Sequence, residues 1–98
     1  SSAQTVYTAP SSAGNVGIVL TLRITNVDGA ADDTITADIV DASSGGAKIA
    51  HTMAVPADSS VELAGTSKIV LEAGDSIQLT GGNASGDLEA FVSALEIT

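Results

Sequence analysis

The chain lacks cysteine and tryptophan, and it has very few basic residues. Without cysteine, neither a disulfide framework nor a thiolate metal site is available. Arg23, Lys48 and Lys68 stand against 12 acidic residues, which gives a net charge of −9. Three scattered cations are too few to neutralise a run of phosphates or to hold an anionic membrane surface. We therefore expect no nucleic-acid partner and no membrane partner, and we interpret the charge as that of a well-solvated surface.

Long apolar runs are also missing. The opening residues 1–4 are mostly polar, and the apolar stretches are short and alternating, so the sequence predicts neither a signal peptide nor a transmembrane segment. Ser1 is compatible with removal of an initiator methionine, and on that ground we expect the chain to be complete.

The core material is aliphatic. The chain has nine Val, eight Ile and seven Leu, but only one Tyr, one Phe and one Met. Branched aliphatic side chains favour the half-buried surface of a pleated sheet. At 98 residues the chain is one domain with a thin core, so it would gain stability from area buried between subunits.

Alternating apolar and polar residues predict eight short strands separated by turn residues every eight to twelve positions or so. This spacing is typical of an all-β fold, a single antiparallel sandwich of the jelly-roll kind. We divide the domain into an N-terminal segment over 1–15, with one strand and a loop, and a body over 16–98. The predicted strands cover 4–8, 16–25, 34–41, 47–55, 61–64, 68–72, 76–80 and 88–97.

The alternation also predicts which side chains face the core. In the second strand we expect Ile18, Leu20, Leu22 and Ile24 on the inner face. In the third strand we expect Ile35, Ala37 and Ile39 inside, and in the fourth strand Ile49, His51, Met53 and Val55 on one face.

The last strand is apolar on both faces, with Phe91, Leu95 and Ile97 on the side opposite Val92. A strand of this kind is expected to be buried on both sides. It would lie centrally in a sheet whose outer face meets a neighbouring subunit, or it would pack under a loop. The N-terminal segment with Val6 and Tyr7 is a possible docking arm, because termini are mobile unless they are tied down.

The sequence contains few side chains that could form a catalytic site. His51 is the sole histidine, and with no second histidine or cysteine to complete a ligand set we interpret it as a packed or interface imidazole rather than a general base or metal ligand. Asp28, Asp32 and Asp33 crowd one turn and raise a calcium hypothesis, but their spacing lacks the ligand pattern of an EF-hand, and turn formation explains them as well. We expect no catalytic site, no metal, no cofactor and no enzymatic activity.

Two local motifs are formal matches only. Ser59–Glu62 fits a helix capping box, yet the residues that follow allow no helix. Asn83–Ser85 fits an N-glycosylation sequon within a glycine-rich turn. A glycan- or receptor-binding sandwich is the alternative to a structural role, although sugar binding usually relies on exposed aromatic rings and Tyr7 and Phe91 are the whole supply.

Several stretches give the chain a resemblance to small β-sandwich virion proteins of tailed bacteriophages, of the capsid cement or decoration type. The stretches that carry it are Thr5–Pro10, Leu20–Asn26, Ile49–His51 leading to Val55–Ala57, Lys68–Ile77 and Phe91–Ile97. The resemblance implies assembly in the host cytoplasm, a place on the capsid surface, many copies per virion and a homotrimer bound to the major capsid protein or another virion protein. A neck or tail component is the alternative location.

From the residues and the resemblance together we expect partner contacts at Val6, Tyr7 and Pro10 in the N-terminal segment and at Phe91 and Leu95 on the last strand. Packing in the core would explain Phe91 and Leu95 equally well.

Overall fold

The structure is a computed structural model that describes residues 3–41, 45–64, 68–82 and 88–98. It confirms the all-β prediction: each of the eight predicted strands is present, with ends that differ from the expected ones by no more than two residues, and the described residues contain no helix. Parts of the predicted turns at 43–46, 65–67 and 81–87, including the sequon Asn83–Ser85, lie outside the described residues. The strands are β1 (Gln4–Thr8), β2 (Val16–Asn26), β3 (Asp33–Val40), β4 (Gly46–Val55), β5 (Ser60–Glu62), β6 (Ile69–Glu72), β7 (Ser76–Gly81) and β8 (Leu88–Ile97).

The strands form two antiparallel sheets that pack together as a sandwich. The first sheet has the order β1-β7-β3-β4. In the second sheet β2 is central, and β8 pairs with it along its whole length, from Val16 to Asn26. Since a strand has only two edges, β5 and β6 share the other edge of β2, where they pair with 23–25 and 16–19 respectively. β8 is therefore an edge strand of the second sheet.

The core lies between the sheets and consists almost entirely of aliphatic side chains. Both sheets contribute fully buried residues, and the N-terminal segment adds Ala9. The buried hydrophobic residues are Ala9, Val19, Leu22, Ile24, Ile35, Ala37, Val55, Ala64, Leu71, Ile77 and Leu79. Dispersion contacts among small branched side chains must therefore supply the packing that aromatic rings provide in many domains of this size.

A β-bulge in β2 decides which of its residues are buried. Val19 lies opposite Ala94 and Thr21 lies opposite Ser93, so Leu20 is an extra residue on the β2 side. An extra residue reverses the alternation of faces along a strand. The predicted inner positions of Leu22 and Ile24 are confirmed, since both are buried. The prediction for the residues before the bulge is wrong: Val19 is 0% exposed, whereas Ile18 and Leu20 are only half-buried.

The N-terminal segment belongs to the sandwich. β1 pairs with β7 in the first sheet, and beyond it the Ala9 N–H donates to the Asp75 carbonyl at 2.8 Å. The Gly74 N–H donates in turn to the Pro10 carbonyl at 3.2 Å. Residues 4–10 thus dock on this chain's own β6–β7 region, in place of the free docking arm that the sequence suggested.

Within the chain, the last strand is buried on its inner face only, and it lies at the edge of the second sheet rather than at its centre. Burial of its outer face by a neighbouring subunit stays a prediction. The inner face of β8 packs on the core, where Val92 lies opposite Leu22. Its outer face points away from the first sheet, and Phe91, Leu95 and Ile97 on that face are 60%, 54% and 52% exposed. The outer face is exposed because the sandwich has two layers, and no further layer of the described chain covers the second sheet on that side.

Candidate interaction surface

The outer side of the second sheet carries exposed apolar side chains on three neighbouring strands. Four of the five large hydrophobic residues that are exposed in the described chain lie there: Val70 at 64%, Phe91, Leu95 and Ile97. Val16 and Ile18 of β2 are half-buried between them. We call these six residues, Val16, Ile18, Val70, Phe91, Leu95 and Ile97, the outer apolar face.

Strand register brings these residues together. Ile18 lies directly opposite Val70 on β6 and directly opposite Leu95 on β8, which gives a row of three aliphatic side chains across the sheet. Val16 lies opposite Ile97 in a second row. Directly opposite side chains on adjacent antiparallel strands are about 4.5–5.5 Å apart at their Cβ atoms, so each row is continuous. Val16, Ile18, Val70, Leu95 and Ile97 therefore form one connected apolar patch, and Phe91 lies on the same face of β8 beyond Ser93. Contiguous exposed apolar side chains of this kind mark interaction sites.

Charged residues border this patch. Arg23 lies opposite Phe91 on one side and opposite Glu62 on the other, with its Nε 3.9 Å from Glu62 Oε1. Glu62 has a structural task as well, because its Oε2 accepts hydrogen bonds from the Leu22 and Ala64 N–H groups at 2.7 and 3.1 Å. Glu72 lies opposite Val16 at the other end. Acidic residues therefore predominate at this border.

Tyr7 connects the two sheets below one end of β8. Its hydroxyl donates to Glu96 Oε2 at 2.8 Å. Glu96 lies opposite Gly17 of β2, and a Cβ at Gly17 would be 2.6 Å from the Tyr7 hydroxyl oxygen and 3.1 Å from the Ala9 Cβ. The absence of a side chain at position 17 is thus what lets the tyrosine ring lie against β2 and reach β8.

The environment of this bond raises the pKa of Tyr7 from 10.0 to about 12. Desolvation by burial is the main cause, followed by the hydrogen bond to Glu96 and the repulsion between that carboxylate and a tyrosinate. The neutral phenol is therefore favoured in the folded state. Its contribution to stability is complete below the unfolded-state pKa near 10.0, and it is lost as the pH rises through about 12.

This pKa can be measured directly, because Tyr7 is the sole tyrosine and the chain has no tryptophan. We expect the tyrosinate absorbance of the folded chain to appear with a midpoint near 12, and that of the chain in denaturant near 10.0. Glu96→Gln should move the folded midpoint part of the way toward 10.0, since the charge is removed while burial remains. A folded midpoint equal to the denatured one would contradict the link between β1 and β8.

The five residues predicted to contact partners fall into two groups. Val6 and Tyr7 are half-buried and pack against the core cluster, and Pro10 is half-buried beside Gly74. Phe91 and Leu95 belong to the outer apolar face. The structure thus does not bring the N-terminal group and the β8 group into one surface.

Val16, Ile18 and Val70 are surface residues that the sequence pattern does not predict as such. A usable signal exists for Val70, because the stretch Ile69–Leu71 is apolar on both faces of a short strand, as β8 is. No comparable signal exists for Ile18, since only the bulge at Leu20 turns it outward.

His51 is exposed, so its predicted position on one face with Ile49 and Met53 is wrong. Met53 lies opposite Ile35 and Ala50 lies opposite Ala37, which leaves an irregularity at 51–52 in β4. Thr52 there has a φ of 45°, and its N–H donates to Thr36 Oγ1 at 3.0 Å. This kink, rather than the alternation of the strand, sets where the imidazole points.

The three turn carboxylates serve separate local contacts. Asp28 Oδ1 accepts from the Ala30 and Ala31 N–H groups, and Asp32 Oδ1 accepts from the Ala57 N–H. Asp33 is buried, with Oδ1 accepting from the N–H of the next residue and Oδ2 without a hydrogen-bond partner. Within the described ranges, no three histidine, cysteine or acidic side chains are grouped so that they could hold a metal ion.

The formal capping box at Ser59–Glu62 behaves as expected from the residues after it. Ser60–Glu62 is strand β5, and the Ser59 hydroxyl donates to the Pro56 carbonyl at 2.6 Å within a turn. The prediction that no helix starts there is confirmed.

Comparisons of this chain with protein-family models, with curated proteins and with solved structures find no match. In the part of the chain that the structure describes, no helix has the length and apolarity needed to cross a membrane.

Proposed function

We propose that this chain is a structural virion protein of a tailed phage, a capsid decoration protein that binds the assembled shell and stabilises it. The observation that carries the proposal is the outer apolar face, whose aliphatic residues form a connected patch on a rigid sheet. The resemblance of the sequence to small β-sandwich virion proteins supports the choice of the major capsid protein, or another virion protein, as the partner. No bond-making chemistry by this chain's own side chains enters the proposal.

The energy available from this face is modest. Full burial of a Val, Leu, Ile or Phe side chain contributes about 1.5–3 kcal/mol. Val70, Phe91, Leu95 and Ile97 are each exposed by half or more, so covering what is still exposed would supply about 3.5–7 kcal/mol in total. Association costs on the order of 4–15 kcal/mol before any net affinity appears. Firm binding therefore needs backbone pairing, further contacts or several copies acting together.

The charge of the chain favours this role over others. A net charge of −9 keeps a high-copy protein soluble before it assembles. It also repels phosphate backbones and anionic lipids, which supports a protein partner. Because Glu62 and Glu72 border the outer apolar face, we expect the partner surface to be apolar at its centre with basic residues around it.

Stabilisation of the shell would follow from mass action. A protein that binds only the assembled shell lowers the free energy of that state by RT ln(1 + [L]/Kd), about 2.7 kcal/mol per site at a hundredfold excess over Kd. The bound chain would thus help the shell to resist internal pressure without catalysing any reaction.

The test uses particles that lack this protein, to which the purified chain is added back. We expect the chain to co-sediment with the particles and to raise the temperature at which they release DNA. Leu95→Glu should raise the Kd measured by co-sedimentation about tenfold to a hundredfold, since it places a charge in the contact. Each tenfold change in Kd corresponds to about 1.4 kcal/mol. Ala54→Glu is the matched control, because it adds the same charge at an exposed position of the other sheet.

Release of DNA at the same temperature with and without the chain would contradict the shell-stabilising role. Equal binding of Leu95→Glu and Ala54→Glu would contradict the outer apolar face as the contact. Images of particles carrying labelled protein would separate the capsid surface from the neck and the tail.

A glycan-binding role has less support. Of the two aromatic rings, Tyr7 is half-buried against the core with its hydroxyl bonded to Glu96, so Phe91 alone is exposed for stacking on a sugar.

A further inference from the structure

The free edge of β8 differs from the other strand edges in this sandwich. Native proteins protect edges with short strands, irregularities, proline or charged side chains, lysine above all. β5 and β6 have only three and four residues, and β1 has five with a register shift near Val6. β4 contains Lys48 and the irregularity at Thr52.

β8 is neither short nor irregular, and its charged side chains are two glutamates. It has ten residues, with no proline and no basic side chain, and no residue in it has a positive φ. The bulge that interrupts its pairing lies on β2, at Leu20. Among the described strands, β8 thus offers the longest regular row of backbone groups to an incoming strand.

The sequence of β8 is complementary to itself. In an antiparallel pair related by a two-fold axis through Ser93, Phe91 of each copy lies opposite Leu95 of the other, and Val92 lies opposite Ala94. In this register every residue from Leu88 to Thr98 of one copy lies opposite a residue of the other copy, and the outermost pair is Leu88 with Thr98. A shift of two residues in either direction separates Phe91 from Leu95 and shortens the overlap.

The positions of the charged residues of β8 are compatible with the register centred on Ser93. Glu89 and Glu96 are the only charged residues of β8, and the pairing with Thr25 and Gly17 places them on opposite faces of the sheet. In the register centred on Ser93, Glu89 therefore meets Ile97 and Glu96 meets Ala90, and no two carboxylates lie opposite each other. Glu96 is also held toward the inside of its own chain by Tyr7.

We propose that two copies of this chain pair along their β8 edges, antiparallel and centred on Ser93. The second sheets of the two copies then form one continuous sheet. The pairing joins the two outer apolar faces: the row Val70–Ile18–Leu95 of one copy continues into Phe91 of the other copy. It is a property of the purified chain and does not require the shell, so its failure would leave the shell-binding proposal standing. It also favours two copies, where the family resemblance implies three.

The position of the axis can be tested by disulfide formation, because the chain has no cysteine of its own. Ser93→Cys places two thiols directly opposite each other across the axis, where Cβ atoms are close enough for a disulfide. We expect mild oxidation of this variant to give a covalent dimer. Thr21→Cys is the matched control: it lies opposite Ser93 on the same face but one strand further from the axis, so it should stay monomeric in a denaturing gel.

A charge-swap pair tests the register in the uncrosslinked protein. Phe91→Glu with Leu95→Lys creates two Glu–Lys pairs across the axis, whereas Phe91→Glu with Leu95→Glu creates two Glu–Glu pairs. Both residues are more than half exposed, so both double variants should keep the fold, which far-ultraviolet circular dichroism checks. By sedimentation velocity we expect the Glu–Glu variant to dimerise at least tenfold more weakly than the Glu–Lys variant. Added salt should strengthen the dimer of the original chain, since each copy carries a net charge of −9.

A chain that sediments as a monomer at every concentration, or as a trimer, would overturn the proposal. Equal crosslinking of Ser93→Cys and Thr21→Cys would overturn the register, as would equal association of the two double variants. A dimer that crosslinks only through Ser93→Cys supports it.

Discussion

Leu22→Ala is expected to lower the free energy of unfolding by about 2–5 kcal/mol. Leu22 is 0% exposed, and it follows the bulge on the inner face of the central strand of its sheet. The truncated side chain would leave a cavity in a core that holds no large aromatic residue able to shift into it. Domains of this length have a total stability of about 5–15 kcal/mol, so the loss is a large part of the whole.

Thermal and urea denaturation measure this change. A destabilisation of 1 kcal/mol lowers the Tm of a domain of 60–100 residues by about 4–8 °C, so we expect a fall of about 8 °C or more. Leu95→Ala is the matched control, because it removes the same atoms from a side chain that is 54% exposed, and it should cost less than about 1 kcal/mol. Equal losses from the two variants would contradict the assignment of inner and outer faces.

Asn26→Ala should have an effect of similar size through lost hydrogen bonds. The side chain of Asn26 is buried at the end of β2, where its Nδ2 donates to the Ala31 and Val55 carbonyls at 3.0 Å each. Its Oδ1 accepts from the Asp28 N–H at 2.9 Å. One side chain thus holds the turn after β2 and also connects β2 to the end of β4. A buried group left without its partner costs about 1–3 kcal/mol, so we expect a loss of about 2–4 kcal/mol in denaturant unfolding.

Asn26→Asp is the informative second variant. Aspartate keeps the acceptor for the Asp28 N–H but, when ionised, has no donor for the Ala31 and Val55 carbonyls. We expect it to be at least as destabilising as alanine at neutral pH, and less so at acid pH, where the protonated carboxyl regains one donor. Asn15→Ala, in the half-buried loop before β2, should change stability by about 0.5 kcal/mol or less. An Asn26→Ala variant as stable as Asn15→Ala would contradict the bridging role.

The role of Asn26 depends only in part on its neighbours in the sequence. The sequence marks this asparagine as the start of a turn, which it is, since asparagine side chains commonly bond to the backbone two residues on. Its bond to Val55, 29 residues away, depends on the two sheets being packed together. That part of its role has no local signal.

The same division holds for the surface that we propose as the contact. The apolar pattern on both faces of the last strand predicts Phe91 and Leu95 as partner contacts, and the structure places both on an exposed face of β8. Val70 and Ile18 join them only because β6 and β8 flank β2 in a particular register. Register between strands distant in the chain follows from packing of the whole sheet.

The sequence alone determined that this protein is all-β, where its eight strands begin and end to within two residues, and that its net charge is −9. These properties follow from local alternation, turn residues and composition, which act over a few positions at a time. Only the tertiary structure decided which face of β2 is buried before the bulge, because a single extra residue at Leu20 reverses the alternation and nothing local announces it. It also decided that β8 is an edge, since the position of a strand in its sheet depends on every other strand.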